Sequence, residues 1–177
     1  MESLNMIFAG FGGQGVLFTG KIVAYAGLLA GKELSWLPSY GPEMRGGTAN
    51  CSVCLSDEPI GSPLVTEPDI LVAMNGPSFD KFASTVAPGG KIIVDSTLVD
   101  REIQRTDIQL FKIPASQLAI DEHLEGIGNM ILLGKVLKES EFASMEIVEK
   151  AVSKCVPAKK QHLLEPNMRA IKLGMSL

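Results

Sequence analysis

A glycine-rich turn between an apolar run and a long helical pattern constrains this chain more than any other feature. The apolar residues 6–9 indicate a short buried strand over 5–9, and the sequence G-F-G-G-Q-G-V follows it directly at 10–16. The apolar spacing over 15–31 then predicts a helix, in which Gly20 and Gly27 are small enough for close packing on a sheet. A strand that turns tightly into a helix is the first unit of an α/β domain with a largely parallel sheet.

Strand and helix patterns alternate along the rest of the chain. Further strands are predicted at 33–37, 48–55, 70–74, 91–95 and 108–113, and further helices at 77–86, 127–138, 144–154 and 160–173. We expect Pro38 to end the second strand and Pro166 to kink or break the last helix. The pattern predicts a three-layer, Rossmann-like α/β fold with helices on both faces of a mostly parallel sheet. Turns rather than a helix join the strands within 48–74, so we expect an antiparallel portion there, within one domain over 1–177.

Composition excludes several classes of function. The chain has 177 residues, of which 46% are hydrophobic, and its net charge is −4 without a dense lysine or arginine run. This balance argues against a nucleic-acid partner and against an anionic membrane surface. The first residues lack the features of a secretory signal, and no apolar run is long enough to cross a bilayer. With three cysteines in such a chain, we expect reduced thiols and a cytoplasmic location.

The glycine turn matches the spacing of a dinucleotide loop, with Gly10, Gly12 and Gly15 in the G-x-G-x-x-G positions. Such a loop brings the backbone and a helix N-terminus close to a pyrophosphate. A dinucleotide site also needs an acidic residue at the end of the second strand, and the nearby candidate, Glu33, stands before that strand's apolar part. Three interpretations follow: a nicotinamide nucleotide site, a tight turn without a ligand, or a loop that faces another cofactor or subunit.

A second glycine-containing segment, S-Y-G-P-E-M-R-G-G-T at 39–48, is the least generic part of the chain. A simple connection between two strands does not need tyrosine, glutamate and arginine among three glycines and a proline. Its carboxylate and guanidinium groups could reach a phosphate or a partner, and its glycines give the backbone freedom. This composition favours a functional loop.

Together, the two glycine segments resemble the gamma subunit of 2-oxoacid:ferredoxin oxidoreductases, the enzymes that act on pyruvate, 2-oxoglutarate and branched-chain 2-oxoacids. The likeness continues through S-D-E-P-I at 56–60 and P-D-I-L-V-A-M-N at 68–75, and it ends with G-N-M at 128–130. One departure is Asn75-Gly76-Pro77, where the family leads us to expect a larger residue in the middle.

The resemblance implies roles for two sets of residues. The cofactor-binding glycine loop would consist of Gly10, Gly12, Gly13, Gln14 and Gly15. The loop facing the active site or the neighbouring subunits would consist of Ser39, Tyr40, Gly41, Pro42, Glu43, Arg45, Gly46 and Gly47. Arg45 is the residue that we expect to contact a phosphate or the interface.

The resemblance also implies a multi-subunit enzyme that oxidatively decarboxylates a 2-oxoacid to an acyl-CoA and reduces ferredoxin. Thiamine diphosphate and iron–sulfur clusters would belong to alpha, beta and ferredoxin-like delta subunits. The gamma subunit would complete the active site and help to position coenzyme A, with no catalytic residue or metal of its own. The alternatives are a nicotinamide-dependent dehydrogenase, an assembly module without a ligand, and the small subunit of an indolepyruvate oxidoreductase.

Three other groups of potential ligands are predicted to be structural. Cys51 and Cys54 form a C-x-x-C pattern inside a strand, and the chain lacks the four thiolates that a [4Fe–4S] cluster usually needs. His123 and His162 have no partners at metal-ligand spacing, so we expect them to be exposed on helices. Asp95 ends a strand, and we expect it to act as a helix cap or in a turn, although strand ends of this kind can also bind ligands.

Overall fold

A six-stranded mixed sheet with helices on both faces makes up the protein in its computed structural model, which describes residues 3–40 and 48–177. The strands are β1 (Ser3–Phe11), β2 (Glu33–Tyr40), β3 (Thr48–Ser56), β4 (Ile70–Ala73), β5 (Lys91–Asp95) and β6 (Gln109–Ile113). The α-helices are α1 (Val16–Leu29), α2 (Gly76–Phe82), α3 (Ala115–Asp121), α4 (Gly128–Ser140), α5 (Met145–Cys155) and α6 (Leu164–Met175). Two short 3₁₀ helices, Ala83–Thr85 and Ala158–Leu163, follow α2 and precede α6.

The order of the strands is β2-β3-β1-β4-β5-β6, and it confirms the predicted fold class. β1, β4, β5 and β6 run parallel to one another, and β3 is antiparallel to both of its neighbours, β1 and β2. The antiparallel portion therefore comes from β3, in the region where the turn-rich sequence predicts it.

Alternate residues of the central strands feed two separate cores. Leu4, Met6 and Phe8 of β1 belong to the larger core, which α1, α4, α5 and α6 cover. Ile7 and Ala9 point to the opposite face and join the smaller core beneath α2. Because both faces of β1 are buried, its sequence is a nearly continuous apolar run rather than an alternating one.

The helices of the larger layer approach each other and the sheet closely at glycines. A side chain at Gly20 or Gly27 would run into β3, as the predicted packing of α1 requires. The closest crossing is that of α4 over α6, where a Cβ at Gly134 would overlap the carbonyl oxygen of Ile171 and lie 2.9 Å from Gly174 Cα. These two helices thus pack backbone against backbone.

The structure corrects the predicted end of the second strand. β2 continues through Pro38 to Tyr40, with Pro38 opposite Cys51 of β3. The physical reason is that β2 is an edge strand, where a residue without an N–H group can turn its nitrogen away from the ladder.

The structure also differs from the sequence-based expectations in the C-terminal half. Pro166 lies in the first turn of α6, where its missing N–H costs nothing, and the break in the helical pattern comes before it at Lys160, whose φ of −120° and ψ of 21° are not helical. The seven-residue helix α3 was not predicted at all. His123 is exposed as expected but lies in the turn after α3 with a φ of 56°, and His162 is exposed in a 3₁₀ helix.

None of the helices within 3–40 and 48–177 combines the length and the apolar character that crossing a bilayer requires.

The crossing of α4 over α6 can be tested with Gly134→Ala. We expect the added methyl group to push the helices apart and to lower the free energy of unfolding by about 1–3 kcal/mol, measured by urea denaturation. The control is Gly61→Ala, because a Cβ at Gly61 would meet no atom within 4 Å. Equal stability of the two variants would contradict the close crossing.

Candidate functional site

The glycine loop connects the carboxyl end of β1 to the first turn of α1. Gly15 is the N-cap of α1 with a left-handed φ of 74°, and no side chain caps the helix. A Cβ on Gly15 would run into the side-chain amide of Asn129, so glycine is required here by both the backbone angle and the close approach. The first amides of α1 are therefore left to solvent or to a ligand.

Gln14 braces the loop against the neighbouring strand. Its Oε1 accepts a hydrogen bond from Phe11 N (2.6 Å), and its Nε2 donates one to the carbonyl oxygen of Met74 (2.9 Å), just beyond the end of β4. Both ends of the amide are thus used inside the protein. Gln14, one of the residues that the family resemblance assigns to the loop, therefore holds the ends of β1 and β4 together.

A second amide, on α4, fixes the other side of the loop. Asn129 Nδ2 donates to Thr19 Oγ1 (3.0 Å) and to the carbonyl oxygen of Gly15 (3.3 Å), and Thr19 Oγ1 donates to the same carbonyl (2.9 Å). This contact joins residues 110 positions apart. The sequence predicted no role for Thr19, and the only signal for Asn129 was its place at the end of the resembling segments.

Asp95, at the end of β5, acts in a turn and at a helix start, as the sequence predicts. Its carboxylate accepts hydrogen bonds from Thr97 N (3.1 Å), from Ser116 N (3.2 and 3.3 Å to the two oxygens) and from Ser116 Oγ (2.5 Å). Asp95 is only 4% exposed. The carboxylate is thereby committed to holding α3 against β5.

These parts surround a cleft of about 360 Å³ at the carboxyl ends of β1, β4 and β5, which we call the switch-point cleft. Its lining residues come from the glycine loop, the β5–α3 connection and the starts of α3 and α4, and include Gly13, Gln14, Asp95, Leu98, Ile120 and Asn129. In the sheet, β3 and β2 lie on one side of β1, and β4, β5 and β6 lie on its other side. Ligands of open α/β sheets bind at such a reversal of strand order.

The second glycine-containing segment begins and ends at the same edge of the sheet. Tyr40 is opposite Ala49, Ala49 is opposite Gly10, and Thr48 is opposite Phe11, so the end of β2 and the start of β3 are level with the start of the glycine loop. Ser39 is exposed near the end of β2. The remaining predicted residues of this segment, Gly41, Pro42, Glu43, Arg45, Gly46 and Gly47, lie outside the described residues.

The geometry does not support the nicotinamide alternative. Glu33 is opposite Ser56, which is opposite Ser3, so this carboxylate lies at the amino end of β1, about 25 Å along the strand from the glycine loop. In addition, β3 separates β1 from β2, whereas the dinucleotide fold places the second strand directly beside the first.

The cysteines are buried in different places. Cys51 and Cys54 are three residues apart on β3, so their side chains leave opposite faces of the sheet, and Cys155 lies on α5. Burial raises the pKa of the Cys51 thiol to about 12. Within the described ranges, no cluster of three or more histidine, cysteine or acidic side chains is placed to hold a metal ion.

The brace formed by Gln14 can be tested with Gln14→Met, which keeps the length of the side chain and removes both hydrogen bonds. We expect the unfolding free energy to fall by about 1–3 kcal/mol, because Phe11 N and the Met74 carbonyl lose their partner. Gln117→Met is the matched control, since the Gln117 side chain is exposed and bonds only to Asp121 on its own helix. A loss of the same size in both variants, measured by urea denaturation, would refute the brace.

Comparisons with known proteins agree with this architecture. The family model for pyruvate ferredoxin/flavodoxin oxidoreductase matches residues 5–177. The ketoisovalerate oxidoreductase subunit VorA of Methanothermobacter thermautotrophicus is 39% identical over 166 residues, which are 94% of this chain and 34% of that relative. This chain therefore spans about a third of the length of that protein.

Several solved structures share the fold over 99% of this chain. The gamma subunit of a keto/oxoacid ferredoxin oxidoreductase from Geobacter sulfurreducens has a TM-score of 0.86 at 30% identity, with 96% of that chain covered. The 2-oxoglutarate:ferredoxin oxidoreductase from Magnetococcus marinus, with 2-oxoglutarate, coenzyme A and succinyl-CoA bound, has a TM-score of 0.88 at 25% identity, with 31% of that chain covered. From the match of its sequence and its fold, the chain belongs to the pyruvate ferredoxin/flavodoxin oxidoreductase family.

Proposed function

We propose that residues 1–177 form a gamma-type domain, the gamma subunit of a 2-oxoacid:ferredoxin oxidoreductase. The complex oxidatively decarboxylates a 2-oxoacid with coenzyme A, forms an acyl-CoA and passes the electrons to ferredoxin. The observation that carries the proposal is the likeness, over nearly the whole chain, to a gamma subunit of almost the same length.

The chemistry of the described residues supports a dependent role for this chain. None of the described residues that line the switch-point cleft is a histidine or a cysteine, and its Asp95 is committed to α3. The described cysteines are also dispersed, so they do not form a thiolate set for an iron–sulfur cluster. In our proposal, thiamine diphosphate and the clusters therefore belong to alpha, beta and ferredoxin-like delta subunits.

The contribution of this chain, in our proposal, is to complete the active site and to help position coenzyme A. The glycine loop, Ser39 and Tyr40 all lie at the edge of the sheet that borders the switch-point cleft. One solved relative has coenzyme A bound. Arg45 is our candidate for contact with a phosphate or with a partner subunit.

The assembly can be tested by affinity purification of this chain from its native cells. We expect thiamine-binding and ferredoxin-like chains to copurify, and the mixture to reduce ferredoxin only when both a 2-oxoacid and coenzyme A are present. Pyruvate, 2-oxoglutarate, ketoisovalerate and indolepyruvate, supplied one at a time, would identify the substrate. Oxidation of a 2-oxoacid by the isolated chain, or tight binding of NADH or NADPH to it, would refute the proposal.

The role of the loop can be tested with Gly13→Ala and its control Gly31→Ala in the assembled enzyme. Both glycines have a positive φ (95° and 77°), and a Cβ on either would meet no atom within 4 Å, so each substitution strains the backbone without a steric clash. Gly13 lines the switch-point cleft, whereas Gly31 lies at the far end of α1. We expect Gly13→Ala alone to raise the KM for coenzyme A, by about tenfold. An equal KM in both variants would show that the loop does not position this substrate.

A further inference from the structure

We propose that the uncovered half of one sheet face binds the larger catalytic subunit of the complex. The inference rests on the proposed function and names the surface through which this chain assembles. It follows from three properties of β2 and β3: no described helix covers their outer face, that face carries almost no charge, and it ends beside the glycine loop.

Half of one face of the sheet lies bare of helices in the part of the chain that the structure describes. The residues of β2 and β3 that point away from α1 there are Ser35, Leu37, Ser39, Asn50 and Ser52, and we call them the open half-face. None of them belongs to the smaller core beneath α2, whose strand residues come from β1, β4, β5 and β6. This surface is therefore free to bind another chain.

The open half-face has no charged side chain. β3 lacks charged residues along its whole length, and β2 has only Glu33, at the end farthest from the glycine loop. Sheets that stay in water are normally protected by charged residues, above all lysine, whereas the centres of protein interfaces are depleted of charge. The composition of these two strands therefore favours a covered surface.

Two apolar side chains give this surface possible anchors for a partner. Leu37 is 37% exposed, and Phe11 is half-buried at the end of β1, on the same face as Ile7 and Ala9. Neither Leu37 nor Phe11 belongs to one of the two cores. The serines between them are small, so a helix or strand of the partner can approach the sheet closely and remove both apolar groups from water.

The position of the open half-face favours a catalytic partner. Ser39 is opposite Asn50, and Asn50 is opposite Ala9, the residue just before the glycine loop. A subunit on this surface would reach the sheet edge that borders the switch-point cleft. A catalytic subunit has to reach this edge if the loop is to complete its active site. A second copy of this chain or a ferredoxin-like subunit needs no such contact.

Two longer relatives indicate which chain the partner resembles. In VorA and in the chain from Magnetococcus marinus, the region similar to this protein is about a third of the length. The covalent link keeps the rest of each chain beside that region at a high effective concentration. A separate gamma subunit needs a binding surface in place of that link. The expected occupant is therefore a subunit similar to the remaining part of these longer chains.

The first test places the photo-crosslinking residue p-benzoylphenylalanine at position 37 of this chain in the assembled complex, with position 28 as the control. Leu28 is 56% exposed and lies on α1, which covers the opposite face of the sheet. Mass spectrometry of the irradiated, purified complex identifies the chain crosslinked to each position. We expect position 37 to crosslink to the larger catalytic subunit and position 28 to give no such product.

The second test compares Leu37→Arg with Leu28→Arg, since both place a guanidinium group at an exposed leucine. On the open half-face the added charge would be buried in the contact without a partner. We expect the amount of catalytic subunit that copurifies, per amount of this chain, to fall about tenfold for Leu37→Arg and to stay unchanged for Leu28→Arg.

The outcomes separate failure of this inference from failure of the proposed function. A crosslink from position 37 to a second copy of this chain, or to a ferredoxin-like subunit instead of the catalytic one, would overturn the inference alone. Equal crosslinking from positions 37 and 28, or an unchanged yield with Leu37→Arg, would do the same. If no thiamine-binding chain copurifies with the unsubstituted protein, both the inference and the proposed function are overturned.

Discussion

The antiparallel strand β3, held between β1 and β2, decides which segments meet at the glycine-loop edge of the sheet. Its pairing places Ala49 opposite both Gly10 and Tyr40. The alternation of β3 fixes this register, because Cys51, Val53 and Leu55 enter the larger core, and a shift by one residue would turn them to the other face. The end of β2, the start of β3 and the glycine loop are consequently level at one edge of the sheet.

The position of β3 beside β1 also explains why the glycine loop lacks the other parts of a dinucleotide site. With β3 beside β1, the end of β2 does not reach the position from which a carboxylate would bind a ribose. Gln14 instead uses both ends of its amide within the protein, on Phe11 and on the carbonyl of Met74. The loop therefore holds the ends of β1 and β4 together and shapes one wall of the switch-point cleft. The glycine spacing of a dinucleotide site is retained without the rest of that site.

Local sequence pattern predicted the elements well where a single segment decides its own structure. The buried run of β1, the helix α1 and the strand β5 follow from apolar periodicity, and the capping role of Asp95 follows from its place at a strand end. Prediction failed where neighbouring elements in the fold determine the structure of a segment. Pro38 is tolerated only because β2 is an edge strand, and α3 is too short at seven residues for a helical period to stand out.

The hydrogen bonds that shape the candidate site join residues far apart in the sequence, so local sequence pattern could not predict them. They also explain why the geometry of the glycine loop does not depend on a titrating group. Asn129 meets Gly15 and Thr19 only because α4 packs beside α1, a consequence of the whole sheet order. Gln14, Asn129 and Thr19 carry amide and hydroxyl groups, which neither gain nor lose a proton near neutral pH. Their hydrogen bonds therefore hold the loop in one geometry whatever the protonation state of a reacting group nearby. A wall built in this way suits the role that we propose for this chain, which is to position a substrate for chemistry on other subunits.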